Sequence, residues 1–220
     1  MRQAIPQVFA SKDAPELARL IQACELDDNP NAERIASVIR FTTRSTLVEE
    51  NEEGVLIGFV DAFMTVSADG VPRWEIDLLG THPAYRGRGI AQRLIKASVQ
   101  AAHEQGADFI RALIHVDNAA SANAFQRVGF QPAASTRELY VSDQPTDAPL
   151  MPPAIAHLIH VCTLTYSGIW IENDHSPQSL ATARAIRAKY NGFIAGVLLP
   201  TGSPPPESFA RVGTYRWWYL

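Results

Sequence analysis

Cysteine is scarce in this chain. Cys24 and Cys162 are the two among 220 residues, they lie far apart, and neither belongs to a C-x-x-C pair. That leaves no basis for a disulfide framework or a four-ligand zinc site, and it fits a reducing cytosol. Long apolar runs are also missing. None approaches the about 18 residues that a membrane span needs, and the opening MRQAIPQVFASKD lacks the long apolar core of a secretion signal. Neither sign of charge dominates. A formal net charge of -4 is too mild to draw the chain generally to nucleic acid or to a membrane surface. The expectation is a soluble cytoplasmic protein with neither of those partners. Apolar residues at 46% and charged residues at 19% make up the composition of a globular chain that can bury a core unaided.

Periodicity and turn residues divide the chain. Residues 5–10 read as a short strand. Ser11 or Asp13 then caps a helix with Leu17, Leu20, Ile21 and Cys24 on one face. A second short helix over 32–40 follows the breaker Asn29-Pro30-Asn31. Strands at 46–50 and 55–66 flank the hairpin signal Asn51-Glu52-Glu53-Gly54, and Asp69-Gly70 turns the chain into a strand over 73–81. The run from Glu49 to Glu53 reads as a solvated hairpin tip. Ile90, Leu94, Ala97 and Ala101 then repeat at helical spacing up to Gly106. A buried-type strand covers 109–116, Asn118 caps a helix that stops at Gly129, and another strand covers 138–141.

The stretch 143–153 has the proline and aspartate content of a linker. Beyond it, a strand pair over 157–172 turning near Ser167-Gly168, a helix over 177–190 and strands at 193–199 and 214–219 suggest a smaller α/β half-domain. At a fixed offset of 84, Phe125-Gln126-Arg127-Val128-Gly129 matches Phe209-Ala210-Arg211-Val212-Gly213, and Phe109-Ile110 matches Phe193-Ile194. The tail therefore reads as a degenerate tandem repeat of the first half. The expected division is 1–142, a linker over 143–153, and a second unit over 154–220.

The loop H82-P83-A84-Y85-R86-G87-R88-G89-I90-A91 carries the most chemistry. It joins a strand to a helix, and a helix start offers unpaired N–H groups and partial positive charge. Glycines at 87 and 89 let several N–H groups converge on one anion, and Arg86 and Arg88 can add charge-assisted bonds. A pyrophosphate is the natural guest. The spacing matches neither the dinucleotide fingerprint G-x-G-x-x-G nor the P-loop.

With W74-E75-I76-D77-L78-L79-G80-T81 before this loop and N118-A119-A120-S121-A122-N123-A124-F125-Q126-R127-V128-G129-F130 after it, residues 5–142 resemble the GNAT superfamily of acyl-CoA-dependent N-acyltransferases. The resemblance implies a mixed, mostly antiparallel sheet flanked by helices and splayed near Thr81. It implies acetyl-CoA as cosubstrate, with no metal. Arg86, Gly87, Arg88, Gly89, Ile90 and Ala91 would hold the pyrophosphate. Leu79, Gly80 and Thr81 would pair with the pantetheine arm, and Asn118 and Phe125 would lie near the thioester. The acceptor would be a small-molecule or peptide amine.

Direct attack by an amine needs a base, oxyanion donors and an acid for the thiolate. Glu75 is the expected base, and Asp77 lies two residues on, on the same strand face. A carboxylate merely paired with Arg73 is the competing reading for Glu75. The Leu79 or Gly80 N–H could serve the oxyanion. Many members carry Tyr where this chain has Phe125, which cannot donate a proton, so water would protonate the thiolate. That difference keeps open a second reading, a CoA-binding sensor or interaction protein with little catalysis; a nucleotide-binding module is a third. His157, His160 and Cys162 read as structural residues of one strand. Trp170 and Y215-R216-W217-W218-Y219 could wall an acceptor pocket or form a homodimer face, but packing of the tail onto the main sheet is the expected reading.

Overall fold

The computed structural model describes residues 6–9, 13–143, 157–172, 175–189 and 193–220. Of the expected linker only Asp143 falls among them, and Ile5, Ala10, Ser11 and Tyr190 lie outside them.

Strand β1 (Gln7–Val8) precedes helix α1 (Ala14–Ala23), which buries Leu17, Leu20 and Ile21 at helical spacing. Helix α2 (Ala32–Val38) starts where the Asn31 side chain accepts a hydrogen bond from the Arg34 N–H at 2.9 Å. Strands β2 (Arg44–Glu50), β3 (Leu56–Val66) and β4 (Pro72–Thr81) form an antiparallel meander. After a single 3-10 turn at Pro83–Tyr85 come α3 (Ile90–Glu104), β5 (Phe109–His115), α4 (Ala119–Val128), the short β6 (Gln131–Pro132) and β7 (Arg137–Ser142). The rest of the chain supplies β8 (His157–Cys162), β9 (Ser167–Glu172), α5 (Pro177–Ala188), β10 (Phe193–Pro200) and β11 (Ala210–Tyr219).

Ser167-Gly168 opens β9 and is not the turn. The turn is Thr163–Tyr166, where the Thr163 hydroxyl accepts from the N–H groups of Thr165 and Tyr166. The glycine instead makes room for a neighbouring strand. A Cβ on Gly168 would stand 2.6 Å from the Ile194 carbonyl oxygen, so its absence permits the close approach of β10.

Among the described residues the strands join in one sheet, ordered β1-β2-β3-β4-β5-β11-β7-β10-β9-β8, with β6 beside β11. Pairing is antiparallel except for β4 with β5 and β9 with β10. Each parallel pair is joined by a helix, α3 in the first case and α5 in the second, so both halves contain a βαβ unit. The expected boundary after residue 142 does not follow the sheet, however. Strand β11 leaves the second unit and lies between β5 and β7 of the first. The F-x-R-V-G match likewise joins unlike structures. Phe125 to Val128 end α4, whereas Ala210 to Gly213 begin β11, because Pro204 to Pro206 cannot enter a helix interior.

Alternation assigns the layers. Val60, Ala62, Trp74 and Ile76 face α3 and α4, in a core that includes Phe125, Phe130 and Trp218. Phe59 faces α1 and α2. Further along the same face of β3, Phe63 meets Ile159 and Val161 of β8. The sheet thus curls until its far edge covers its own beginning. Arg34 of α2 latches this closure by donating to the Thr163 carbonyl at 2.8 Å and to the Ser167 hydroxyl at 2.9 Å. Arg44, buried beside Asp61, donates to the Cys162 carbonyl. Helix α5 packs on the outer side of β9 and β10. No helix among the described residues is long and apolar enough to cross a membrane.

Candidate active site

Two concavities lie in succession along β4. The first is a groove of about 860 Å³ over the start of α3. Residues 79–81, 86–91 and Asn118 all line it. Gly87 and Gly89 sit at φ 79° and 74°, conformations that cost a side chain energy, and Gly89 is the residue before the first turn of α3. The loop is held from behind: Arg93 donates to the Arg88 carbonyl at 2.9 Å and pairs with Glu49. Glu49 is buried by that contact, so the acidic run Glu49 to Glu53 is not solvated throughout. Arg88 lies over the Tyr85 ring at 4.9 Å. Pairing between β4 and β5 ends at Ile76 and Ala112, so the last five residues of β4 diverge from β5 and offer backbone to the groove. The Thr81 hydroxyl is buried there without a partner.

Two of the expected contacts need restating. Phe125 does not line the groove; its ring is buried, edge-on to Phe130 at 4.9 Å, because α4 turns this residue into the core. Asn118 lines the groove, but its side chain also caps α4 by accepting from the Ser121 N–H at 3.0 Å.

The second concavity is a cavity of about 330 Å³ inside the curl. Its floor is β4 and β5, and its walls come from β8, β9 and β11. Glu75 and Asp77 both line it, along with Trp170, Glu172 and Trp217. Ordinary alternation puts both on one face, and a β-bulge follows at once: Asp61 pairs with Leu78 and Ala62 with Ile76, which leaves Asp77 as the extra residue.

The two carboxylates differ in circumstance. Glu75 is fully engaged. Its oxygens accept from Arg111 Nε at 2.8 and 3.0 Å and from the Thr65 hydroxyl at 2.6 Å. Glu172 completes a ring of charge, taking Arg111 at 2.8 Å and Arg73 at 2.9 Å. Arg111 also stacks over Trp217 at 4.0 Å. Burial pushes Glu172 upward, but its two arginines outweigh that and hold it below the usual carboxylate range. Asp77 has no such partner, and its Oδ2 is buried without a hydrogen bond. Burial above all, with the charges of Asp61 and Glu75 adding and Arg44 opposing, pushes it up to about 7. A half-ionised carboxylate at neutral pH suits proton transfer; a carboxylate locked to arginine does not.

The competing reading that paired Glu75 with Arg73 is present, at 3.6 Å; sequence reasoning missed Arg111, Arg137 and Glu172. One signal was available for Arg111: it interrupts the otherwise apolar strand Phe109–His115. The aromatic residues divide by alternation, with Trp170, Trp217 and Tyr219 in the cavity wall and Trp218 in the core. His157 has a structural contact, its Nε2 lying 2.7 Å from the Val66 carbonyl oxygen. His160 stacks on Phe193.

The ion ring makes one prediction about stability. Arg111→Met should lower it by about 3 kcal/mol, because Glu75 would keep its buried charge and lose its nearest cation. Urea unfolding of the pair of proteins checks this; an unchanged midpoint would count against it.

The groove and the splayed strand invite comparison with known proteins. Residues 14–130 match the model of the acetyltransferase (GNAT) family. The chain belongs to this family. Its curated GNAT relatives include the mycothiol acetyltransferase of Propionibacterium freudenreichii subsp. shermanii, 30% identical over 90 residues, which are 41% of this chain and 28% of that protein. They also include the L-2,4-diaminobutyric acid acetyltransferase of Halomonas elongata, 28% identical over 145 residues, 62% of this chain and 73% of that one. The match thus covers less than a third of the mycothiol enzyme. A GCN5-related N-acetyltransferase from Sphaerobacter thermophilus has the same fold, with a TM-score of 0.67 at 12% identity over 100% of this chain and 96% of that one. That likeness therefore extends over the C-terminal strands as well as the GNAT core.

Proposed function

We propose that the protein transfers an acetyl group from acetyl-CoA to a primary amine by direct attack. The observation that carries this is the single groove formed by the left-handed glycines at the start of α3 and the diverging end of β4. The groove fits the cosubstrate in two ways. Convergent N–H groups at a helix start, with Arg86 and Arg88 beside them, suit a pyrophosphate. The free backbone of residues 79–81 and the unpartnered Thr81 hydroxyl suit an amide-bearing arm that adds like a strand.

Acetyl-CoA supplies the activated carbonyl; the chain supplies position and proton transfer. Asp77 lines the cavity, and Leu79, two residues on and about 7 Å further along the strand, lines the groove, so the amine would approach the carbonyl between these two positions. Asp77 takes the proton from the amine nitrogen. Glu75, the expected base, instead holds Arg111 and shapes the cavity. The Leu79 or Gly80 N–H would steady the oxyanion. With Phe125 in the core, the departing thiolate takes its proton from water. The relatives named above are acetyltransferases, and a buried carboxylate poised near neutrality has no evident purpose in a sensor, so the non-catalytic reading is not favoured.

Calorimetric titration with acetyl-CoA, ATP and NAD tests the reading. One-to-one binding of acetyl-CoA alone is expected, and ATP or NAD binding in its place would overturn it. Gly89→Trp should abolish acetyl-CoA binding while the circular dichroism spectrum stays native, since the new side chain would stand over the first turn of α3. Undiminished affinity would remove the loop from the site.

A further inference from the structure

The charges in the cavity do not all cancel against one another. Arg73, Arg111, Glu75 and Glu172 form a closed, neutral ring. Among the described residues, two lining aspartate or arginine side chains remain outside it. Asp77 makes no ion pair, and its Oδ2 is buried without a partner. Arg137 also makes no ion pair or side-chain hydrogen bond among the described residues. It reaches the cavity from β7, on the sheet face that carries Tyr215, its register partner on β11. A third group belongs with it: Arg73 spends Nε and one terminal nitrogen on Thr65 and Glu172, and its other terminal nitrogen is buried with no acceptor. A cavity that leaves one carboxylate unmatched near the reacting end, and guanidinium N–H groups unmatched elsewhere, is complementary to a molecule with both charges. Buried polar groups without partners are uncommon, and each pair left open here is completed by the same guest.

We propose that the acceptor is a small aminocarboxylate, whose amine lies at Asp77 and whose carboxylate is read by Arg137 with the free nitrogen of Arg73. The inference rests on the acetyl-transfer reading and narrows it to a substrate class. The volume agrees. At roughly 30 Å³ per water, a cavity of about 330 Å³ suits a guest of some dozen non-hydrogen atoms. Trp170, Trp217 and Tyr219 flank the polar ends and suit a short aliphatic chain. A diamine would satisfy Asp77 and leave the guanidinium groups without an acceptor. A peptide N-terminus would bring no carboxylate to this depth.

The test uses acceptors matched in pairs that differ by one carboxylate: L-2,4-diaminobutyrate with 1,3-diaminopropane, and L-lysine with cadaverine. Thiol release from acetyl-CoA gives kcat/KM for each. The aminocarboxylate should be favoured by about tenfold to a hundredfold in at least one pair, as expected for a charge-assisted contact. In Arg137→Gln that ratio should fall toward one, mainly through KM. A ratio near one in the wild-type protein, or a preference for the plain diamines, would overturn the aminocarboxylate assignment and leave acetyl transfer standing. A wild-type preference that survives both Arg137→Gln and Arg73→Gln would overturn the roles given to those arginines. No turnover of any of the four, with acetyl-CoA bound, would count against the acceptor class; no acetyl-CoA binding would remove the underlying reading.

Discussion

Asp77→Asn should lower kcat/KM by about a hundredfold to ten-thousandfold at pH 7, the range associated with loss of a positioned base. The wild-type profile should carry an inflection near pH 7 that belongs to Asp77. In the variant that inflection should vanish, and activity should rise with pH only as the acceptor amine itself loses its proton. Glu75→Gln would not reproduce this pattern, because Glu75 is engaged by Arg111. If the variant keeps the inflection, the base lies elsewhere. The same substitution has an opposite effect on stability. Folded Asp77 titrates near 7 where an ordinary aspartate titrates at 3.8, so between those values the folded chain holds a proton that the unfolded chain has released. Stability from this residue therefore falls as pH rises from about 4 to about 7. Asp77→Asn should match the wild type below that window and exceed it above. Thermal melts at pH 4 and pH 8 would show the crossover, and equal melting temperatures at pH 8 would argue that the carboxylate is not buried in its charged form.

Truncation after Val141 should destroy the fold. Strand β11 is the shared neighbour of β5 and β7, and its loss would bare an edge on each. It would also empty the place of Trp218, which is 8% exposed in the main core. Removal of a buried Trp alone costs about 3–5 kcal/mol, against a total stability of about 5–15 kcal/mol for a typical domain. The truncated chain should elute as an aggregate and show no cooperative melt. Trp218→Ala offers a graded version, expected to fold but to unfold at lower urea. A monodisperse truncated protein with a sharp transition would mean that β5 and β7 can close without β11.

These results also mark what the sequence could and could not convey. The meander, α3, β5 and α4 were legible because each is specified locally: by alternation, by helical spacing, by Asn118 and Gly129 at the ends of α4. The loop at the start of α3 was legible for the same reason, since it lies within ten residues. Strand order is not a local property. Nothing in the alternation of 210–219 says that it will lie between β5 and β7 and not at an edge. The bulge at Asp77 was equally hidden, because it is a mismatch of register between β3 and β4 and leaves no mark on β4 alone. Glu172 could not be foreseen as the partner of Arg73 and Arg111, since those contacts span 99 and 61 residues. The repeated F-x-R-V-G misled because four shared letters took a helical end in one place and a strand in the other.

The curl of the sheet has a consequence for how such a chain can change over time. The groove is built from residues 24–127, while much of the cavity wall is built from residues 157–219. The donor is thus served by the earlier stretch alone, and the acceptor by both. Mutations in the later stretch can reshape the aromatic wall around the acceptor without disturbing the donor's berth, while Asp77, Arg73 and Arg137, which would read its charges, lie before that stretch. The limit on that freedom is β9, whose Glu172 must still meet two arginines from the earlier stretch. Drift in the wall is also held in check where Thr163 and Ser167 receive Arg34 and where Gly168 admits β10.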